Sequence, residues 1–258
     1  MTCIEKIKNY KSIQEKLHNK KHDISLISEA SRILVLAPHQ DDEIIGCGGA
    51  LLYHRNRGHN IDCCYLTDGA KGKMADGLAD ETAGIRRQEA CRVNEKLKSD
   101  KIIFWNNRDL ELEVSNDNIE KMKSLLIECQ PLLIYAPSPF EKHPDHYKAF
   151  ELLLRAVQAL CKDITGKGEF CECCYVHLYS VWDLCFSNYT LDISGLWKEK
   201  LELLSLYKSQ EIFSITELTR CVNRYFALQN PFGRAEYCEN YIRLPLKRIC
   251  ELFENEVI

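Results

Sequence analysis

Apolar and polar positions alternate along the chain in two different rhythms. Ile33–Ala37 and Leu132–Ala136 are short apolar runs, as expected of strands buried on both faces. Ile61–Thr67 and Lys101–Trp105 read as two more strands, and Tyr175–Trp182 is rich in aromatic and β-branched residues. Between them, Asp42–His54, Ile85–Leu97, Ile119–Cys129 and His146–Cys161 carry apolar residues at helical spacing. Strands that alternate with helices of ten or more residues predict an α/β fold. We expect a Rossmann-like three-layer sandwich with a mostly parallel sheet. From Leu196 onward the segments LWKEKLELLSLYKSQEIF, SITELTRCVNRYFALQ and RLPLKRICELF read as a helical C-terminal portion. Residues 1–31 are polar and lysine-rich, with Ile4, Ile7, Tyr10, Ile13 and Leu17 at loosely helical spacing. They read as a helical N-terminal extension to a single domain over 32–258.

Composition narrows the classes. The 258 residues are 45% hydrophobic and 28% charged, with a net charge of −4. That is an ordinary globular balance and argues against a nucleic-acid partner. No stretch is apolar enough to predict a transmembrane segment, and the first residues lack the apolar core of a signal peptide. Fourteen cysteines are many. In a chain of this length they are expected to be reduced thiols in a cytoplasmic protein. Cys171, Cys173 and Cys174 form the one dense cluster, without the second half of a zinc ribbon, and free thiols are the simpler expectation.

The chemistry concentrates after two strands. APHQDDEIIGCGG follows the first, and SPFEKHPDH follows the fourth. In a parallel sheet, ligands bind outside the carboxyl ends of the strands. His39 and Asp42 can turn into one crevice from a strand-to-helix turn, and nitrogen with carboxylate oxygen suits zinc or another divalent transition metal such as iron(II). Pro144 favours an extended His143 and suits the first helical position. His146 then lies in the first turn and points back toward the helix start, as a third ligand. Asp41 is left free to take a proton from water, and His143 to donate to an oxyanion or a leaving amine. The competing reading of Asp41, Asp42 and Glu43 is a cluster of acids at a helix N-terminus, favoured by its dipole. Glu43 keeps that supporting role in either case. Gly46, Gly48 and Gly49 fall inside the predicted helix and point to close packing rather than phosphate binding. His54 and His59 are expected to be ordinary core or surface residues, and His177 is the one further histidine weighed for the substrate pocket.

APHQDDEIIGCGG followed at a distance by HPDH resembles the LmbE-like (PIG-L) zinc deacetylase family, which includes the N-acetylglucosaminyl-phosphatidylinositol de-N-acetylases. Weaker matches run through TDG at Thr67–Gly69, IRRQEA at Ile85–Ala90, YKSQ at Tyr207–Gln210 and RAEYCENY at Arg234–Tyr241, so the resemblance covers roughly residues 32–245. It implies a Rossmann-like fold with zinc on His39, Asp42 and His146, and Asp41 as general base. It further implies His143 as acid or oxyanion partner, Asp145 as its orienting neighbour, and Arg86 as a substrate contact. The implied substrate is an N-acetylglucosamine-type conjugate. A metal-dependent amidase or esterase for another acyl group and a non-catalytic carbohydrate-binding module are the alternatives, and a homo-oligomer is compatible with all three. One departure is Gln40, where the family commonly has proline.

Overall fold

The computed structural model describes residues 31–72, 79–163, 165–184, 187–229 and 233–253. The N-terminal extension expected over 1–31 lies outside them except for Ser31. Seven strands form one sheet: β1 (Arg32–Ala37), β2 (Asn60–Thr67), β3 (Lys101–Asn107), β4 (Leu133–Pro137), β5 (Tyr175–Tyr179), β6 (Tyr189–Asp192) and β7 (Cys238–Pro245). Their order is β3-β2-β1-β4-β5-β7-β6. The first five are parallel, whereas β7 runs antiparallel to both β5 and β6. The helices are α1 (Asp42–Asn56), α2 (Ala79–Leu97), α3 (Asn116–Cys129), α4 (Pro144–Cys161), α5 (Trp197–Leu204), α6 (Ile215–Gln229) and α7 (Leu246–Phe253).

Strand periodicity sorts the core into two layers. Leu34, Leu36, Ile134, Ala136, Val176 and Leu178 point to one face and pack with Leu125, Phe150, Val157 and Ile249 of α3, α4 and α7. Ile33, Val35, Ala37, Cys63 and Tyr135 point to the other and pack with Ile44, Leu51, Val93 and Leu203 of α1, α2 and α5. This is the expected three-layer Rossmann-like arrangement. Because β1 sits between β2 and β4, successive connections leave it in opposite directions. A crevice opens there beyond the strand ends, and the loops after β1 and β4 both empty into it.

Two strands were not foreseen. Cys238–Pro245 lies where the sequence reads as helical tail, and Tyr189–Asp192 falls in a stretch with no clear period. On β7 the inward positions of one face are Glu239 and Tyr241, so a charged residue occupies a core site and hides the period of two. The glycines of α1 behave as expected. A Cβ on Gly46 would overlap the Tyr179 ring of β5, and one on Gly49 would meet Ile193 Cγ2 at 2.5 Å.

Candidate functional site

Thr67, at the end of β2, donates through both N and Oγ1 to Pro38 O, which fixes the turn that leaves β1. His39, Gln40 and Asp41 follow in that turn, and α1 begins at Asp42. Across the crevice, the loop after β4 leads to His143, which caps α4 by accepting Asp145 N–H on Nδ1 at 3.3 Å. Pro144 opens that helix and His146 lies in its first turn, as the sequence predicts.

Three donor atoms converge. His39 Nδ1 lies 3.1 Å from Asp42 Oδ2, His146 Nε2 lies 3.2 Å from the same oxygen, and the two ring nitrogens are 3.3 Å apart. Neighbouring ligands on a tetrahedral zinc with bonds of 2.0–2.1 Å stand about 3.3 Å apart, so this triangle has the size of one face of such a site. The rings of His39, His143 and His146 also offer nitrogens within 4.8 Å of one another, and His39 and His143 nitrogens with Asp109 and Asp145 carboxylate oxygens form a second such group. The first triangle is the tighter, and it uses the His39 nitrogen that faces away from Asp109 and Asp145.

The surroundings fit a bound cation. His39 Nε2 is 3.2 Å from both Asp145 Oδ2 and Asp109 Oδ1. His146 Nδ1 is buried, has no hydrogen bond, and faces Glu141 Oε2 at 3.4 Å, within ion-pair range but outside hydrogen-bond geometry. Histidines that hold metals present their second N–H to a carboxylate in this way. Without a cation, burial works against charge on the rings, but Asp109, Asp145 and Asp42 outweigh it at His39, and Asp42 does so at His146. His39 is held well above the usual histidine range and His146 is raised to about 9. Burial opposes ionisation of Asp42 as well, yet the two histidines, His146 foremost, keep its pKa low. Ring protons thus compensate the acids where a divalent ion would.

Asp41 sits beside this set with φ 149°, a strained backbone for a residue with a side chain. Burial raises its pKa to about 7 even though Arg86 pulls it down. Arg86 Nη2 donates to Asp41 Oδ1 at 3.0 Å and to Gln40 O at 2.9 Å, and Nη1 donates to Gly69 O at 3.2 Å. Arg86 is 3% exposed. Its guanidinium braces Asp41 and the turn through Nη1 and Nη2, and its Nε has no hydrogen bond among the described residues. The Asp145 carboxylate meets His39 and the N–H groups of Leu110 and Leu112, and its backbone N–H meets His143.

Glu43 is fully buried. It accepts Asp41 N–H at 3.2 Å, Tyr65 O–H at 2.9 Å and Tyr207 O–H at closer range. Burial raises its pKa to about 7 against those hydrogen bonds. Burial also lowers His143 to about 4, so its ring is neutral. Since Nδ1 accepts a backbone N–H, the ring proton resides on Nε2 and can be donated. Gln40 Nε2 donates to Thr67 O at 2.8 Å, which gives the departure from proline a bracing contact. His177 does not line the crevice. It is buried in the core among Tyr135, Tyr189 and Tyr241. The twelve cysteines among the described residues are all free.

Asp109 and Glu141 escaped the sequence reading. Asp109 closely follows β3 at its carboxyl end, and Glu141 lies within SPFEKHPDH, so the strand-end rule that located the histidines applies to both.

A family model described as "PIG-L: GlcNAc-PI de-N-acetylase" matches residues 34–157. The diacetylchitobiose deacetylase of Thermococcus kodakarensis is 26% identical over 208 residues, 78% of each chain. A 1D-myo-inositol 2-acetamido-2-deoxy-alpha-D-glucopyranoside deacetylase of Corynebacterium glutamicum is 27% identical over 51% of this chain and 53% of its own length. The solved N,N'-diacetylchitobiose deacetylase of Pyrococcus horikoshii superposes with a TM-score of 0.76 at 25% identity, over 99% of this chain and 96% of that one.

Proposed function

Taking the chain as a member of the PIG-L (LmbE-like) family, we propose that it is a metal-dependent N-deacetylase acting on an N-acetylglucosamine-type sugar conjugate. The convergence of His39 Nδ1, Asp42 Oδ2 and His146 Nε2 beside Asp41 carries this reading. These three residues would hold a divalent cation, zinc by their donor set with iron(II) as the alternative. Such an ion polarises the acetyl carbonyl and makes a water more acidic.

The chain's own groups do the rest. Arg86 occupies Asp41 Oδ1, which leaves Oδ2 for the proton of the attacking water. Burial pushes the Asp41 carboxyl above the usual carboxylate range, which favours its taking and holding that proton. Oxygen bonds to the acetyl carbon, and negative charge develops on the former carbonyl oxygen. His143 Nε2–H donates a hydrogen bond to it. When the C–N bond breaks, Asp41 returns its proton to the nitrogen, and acetate and a free amine remain.

A pure carbohydrate-binding module would need neither a strained Asp41 nor its raised pKa, so those two observations favour catalysis. An amidase or esterase for a different acyl group would use the same residues. Free thiols fit a reducing cytoplasm.

The test is acetate release from N,N'-diacetylchitobiose by zinc-loaded protein. Chelation is expected to abolish it and zinc to restore it. Asp41→Asn is expected to lower kcat at least about 100-fold while zinc content stays at wild-type level. Turnover that survives both chelation and Asp41→Asn would overturn the mechanism.

A further inference from the structure

Beside Asp41, two buried polar atoms have no hydrogen-bond partner among the described residues: Gln40 Oε1 and Arg86 Nε. One is an acceptor and the other a donor. Their residues are 1% and 3% exposed. Buried polar groups are rarely left unmatched, because the lost hydration is not recovered. Both atoms face Gly69. A Cβ on that glycine would stand 2.4 Å from Gln40 Oε1 and 2.9 Å from Arg86 Nε. Gly69 has φ +64°, a conformation that favours glycine, and its missing side chain leaves the acceptor and the donor turned to one point. The rest of each side chain is already held. Gln40 Nε2 donates to Thr67 O. Arg86 Nη1 donates to Gly69 O, and Nη2 donates to Gln40 O and Asp41 Oδ1. Of the three guanidinium nitrogens, only Nε lacks an acceptor. The last torsion of a glutamine side chain is broad rather than stepped, so Oε1 can swing toward Nε–H without moving the backbone.

We propose that Gln40 is a positioning residue for proton transfer at Asp41: its Oε1 accepts Arg86 Nε–H and locks the guanidinium onto Asp41 Oδ1. With all three nitrogens engaged, the guanidinium cannot pivot, and Asp41 Oδ2 stays turned toward the attacking water. A base held in this way loses little to misalignment. Proline, which the family commonly carries at this place, has no side-chain acceptor, so the lock belongs to this chain. The role in proton transfer rests on the deacetylase reading; the contact between Gln40 and Arg86 does not.

The experiment uses zinc-loaded full chain as wild type, Gln40→Met, Arg86→Lys and the double variant. Methionine keeps the length of Gln40 and removes its polar atoms; lysine keeps the charge of Arg86 and removes Nε–H. Acetate release from N,N'-diacetylchitobiose gives kcat and KM, and zinc content and circular dichroism are recorded for each form. The Arg86 Nε–H resonance of isotope-labelled protein is identified by its loss in Arg86→Lys. Gln40→Met is expected to lower kcat about tenfold, with KM and zinc content at wild-type level. In the Arg86→Lys background the same change is expected to lower kcat less than about twofold, because the acceptor has nothing left to hold. The Nε–H resonance is expected to move upfield in Gln40→Met. Wild-type kcat in Gln40→Met would overturn the role. An equal fall in both backgrounds would do so too, since it would trace the effect to the Thr67 contact. A resonance indifferent to Gln40→Met would overturn the contact. Should Gln40→Met fail to fold, Gln40→Asn, one methylene too short to reach, carries the same expectations. Wild type that releases no acetate would remove the deacetylase reading and the role with it, while the resonance would still decide the contact.

Discussion

At Asp41 two opposing effects meet. Burial disfavours its charge, Arg86 favours it, and burial prevails enough to place the group at about 7. At His146 the contest goes the other way, because Asp42 outweighs burial. Neighbours rather than residue type thus give adjacent acids opposite proton affinities, which is what the proposed proton carrier and the proposed ligand require. Glu141 plays the matching part on the far side of His146. If it orients that ring, Glu141→Gln should weaken zinc affinity by about 10–100-fold, since it removes the negative partner of a ligating histidine. Competition with a chromophoric chelator measures this. An unchanged affinity would leave Glu141 only as the acceptor of the Val181, Trp182 and Asp183 N–H groups.

Helix α1 carries both Asp42 and a break. Cys47 has φ −143° and ψ 18°, so the hydrogen-bond ladder is interrupted one turn beyond the site. Glu239 of β7 fills the gap, accepting Gly49 N–H at 2.7 Å and Ala50 N–H at 2.9 Å. Lys200 of α5 donates to Ile45 O at 3.0 Å, to Asn223 Oδ1 at 2.9 Å and to Glu239 at 2.7 Å. Both charged side chains are almost wholly buried. Removing one partner of such a pair leaves an uncompensated buried charge, which costs about 3–5 kcal/mol. Lys200→Met should therefore lower the denaturation free energy by that order. Adding Glu239→Gln should recover part of it, because the stranded carboxylate is gone. Denaturant unfolding reads both. A Lys200→Met protein as stable as wild type would show that the pair contributes nothing net.

For the molecule as a whole, buried histidines and buried acids pull stability in opposite directions as pH falls. Burial foremost, with His59 and Arg57 adding to it, lowers His54 to about 3, and burial holds His177 well below the usual range. Both are neutral when folded but titrate near 6.5 when unfolded. Below about 6.5 the unfolded chain binds more protons at these two sites, so their contribution falls with pH, whereas Asp41 and Glu43, raised to about 7, bind more protons when folded and contribute in the opposite sense. His54 alone is worth on the order of 2 kcal/mol between pH 6.5 and 5. Thermal unfolding of wild type and His54→Gln from pH 7 to 5 should therefore show a Tm difference that shifts in favour of the variant as pH falls. A difference that stays constant over that range would mean that the His54 ring does not resist protonation. Among the described residues no helix is long and apolar enough to cross a membrane. The sequence by itself determined the alternation of strands and helices and the two loops that bear the chemistry. Period and strand-end position are local properties, and both survive folding. It also singled out His39, Asp41, Asp42, His143 and His146, because proline rules and turn geometry act over a few residues. Only the tertiary structure decided the partners of Arg86 and Asp145, the place of Glu141 and Asp109, and the core setting of His177. Those depend on contacts reaching up to 106 positions along the chain, between elements that meet only when the sheet is assembled. The β7 strand was hidden for the same reason, since Glu239 looks like a surface residue until Lys200 arrives from another helix to neutralise it.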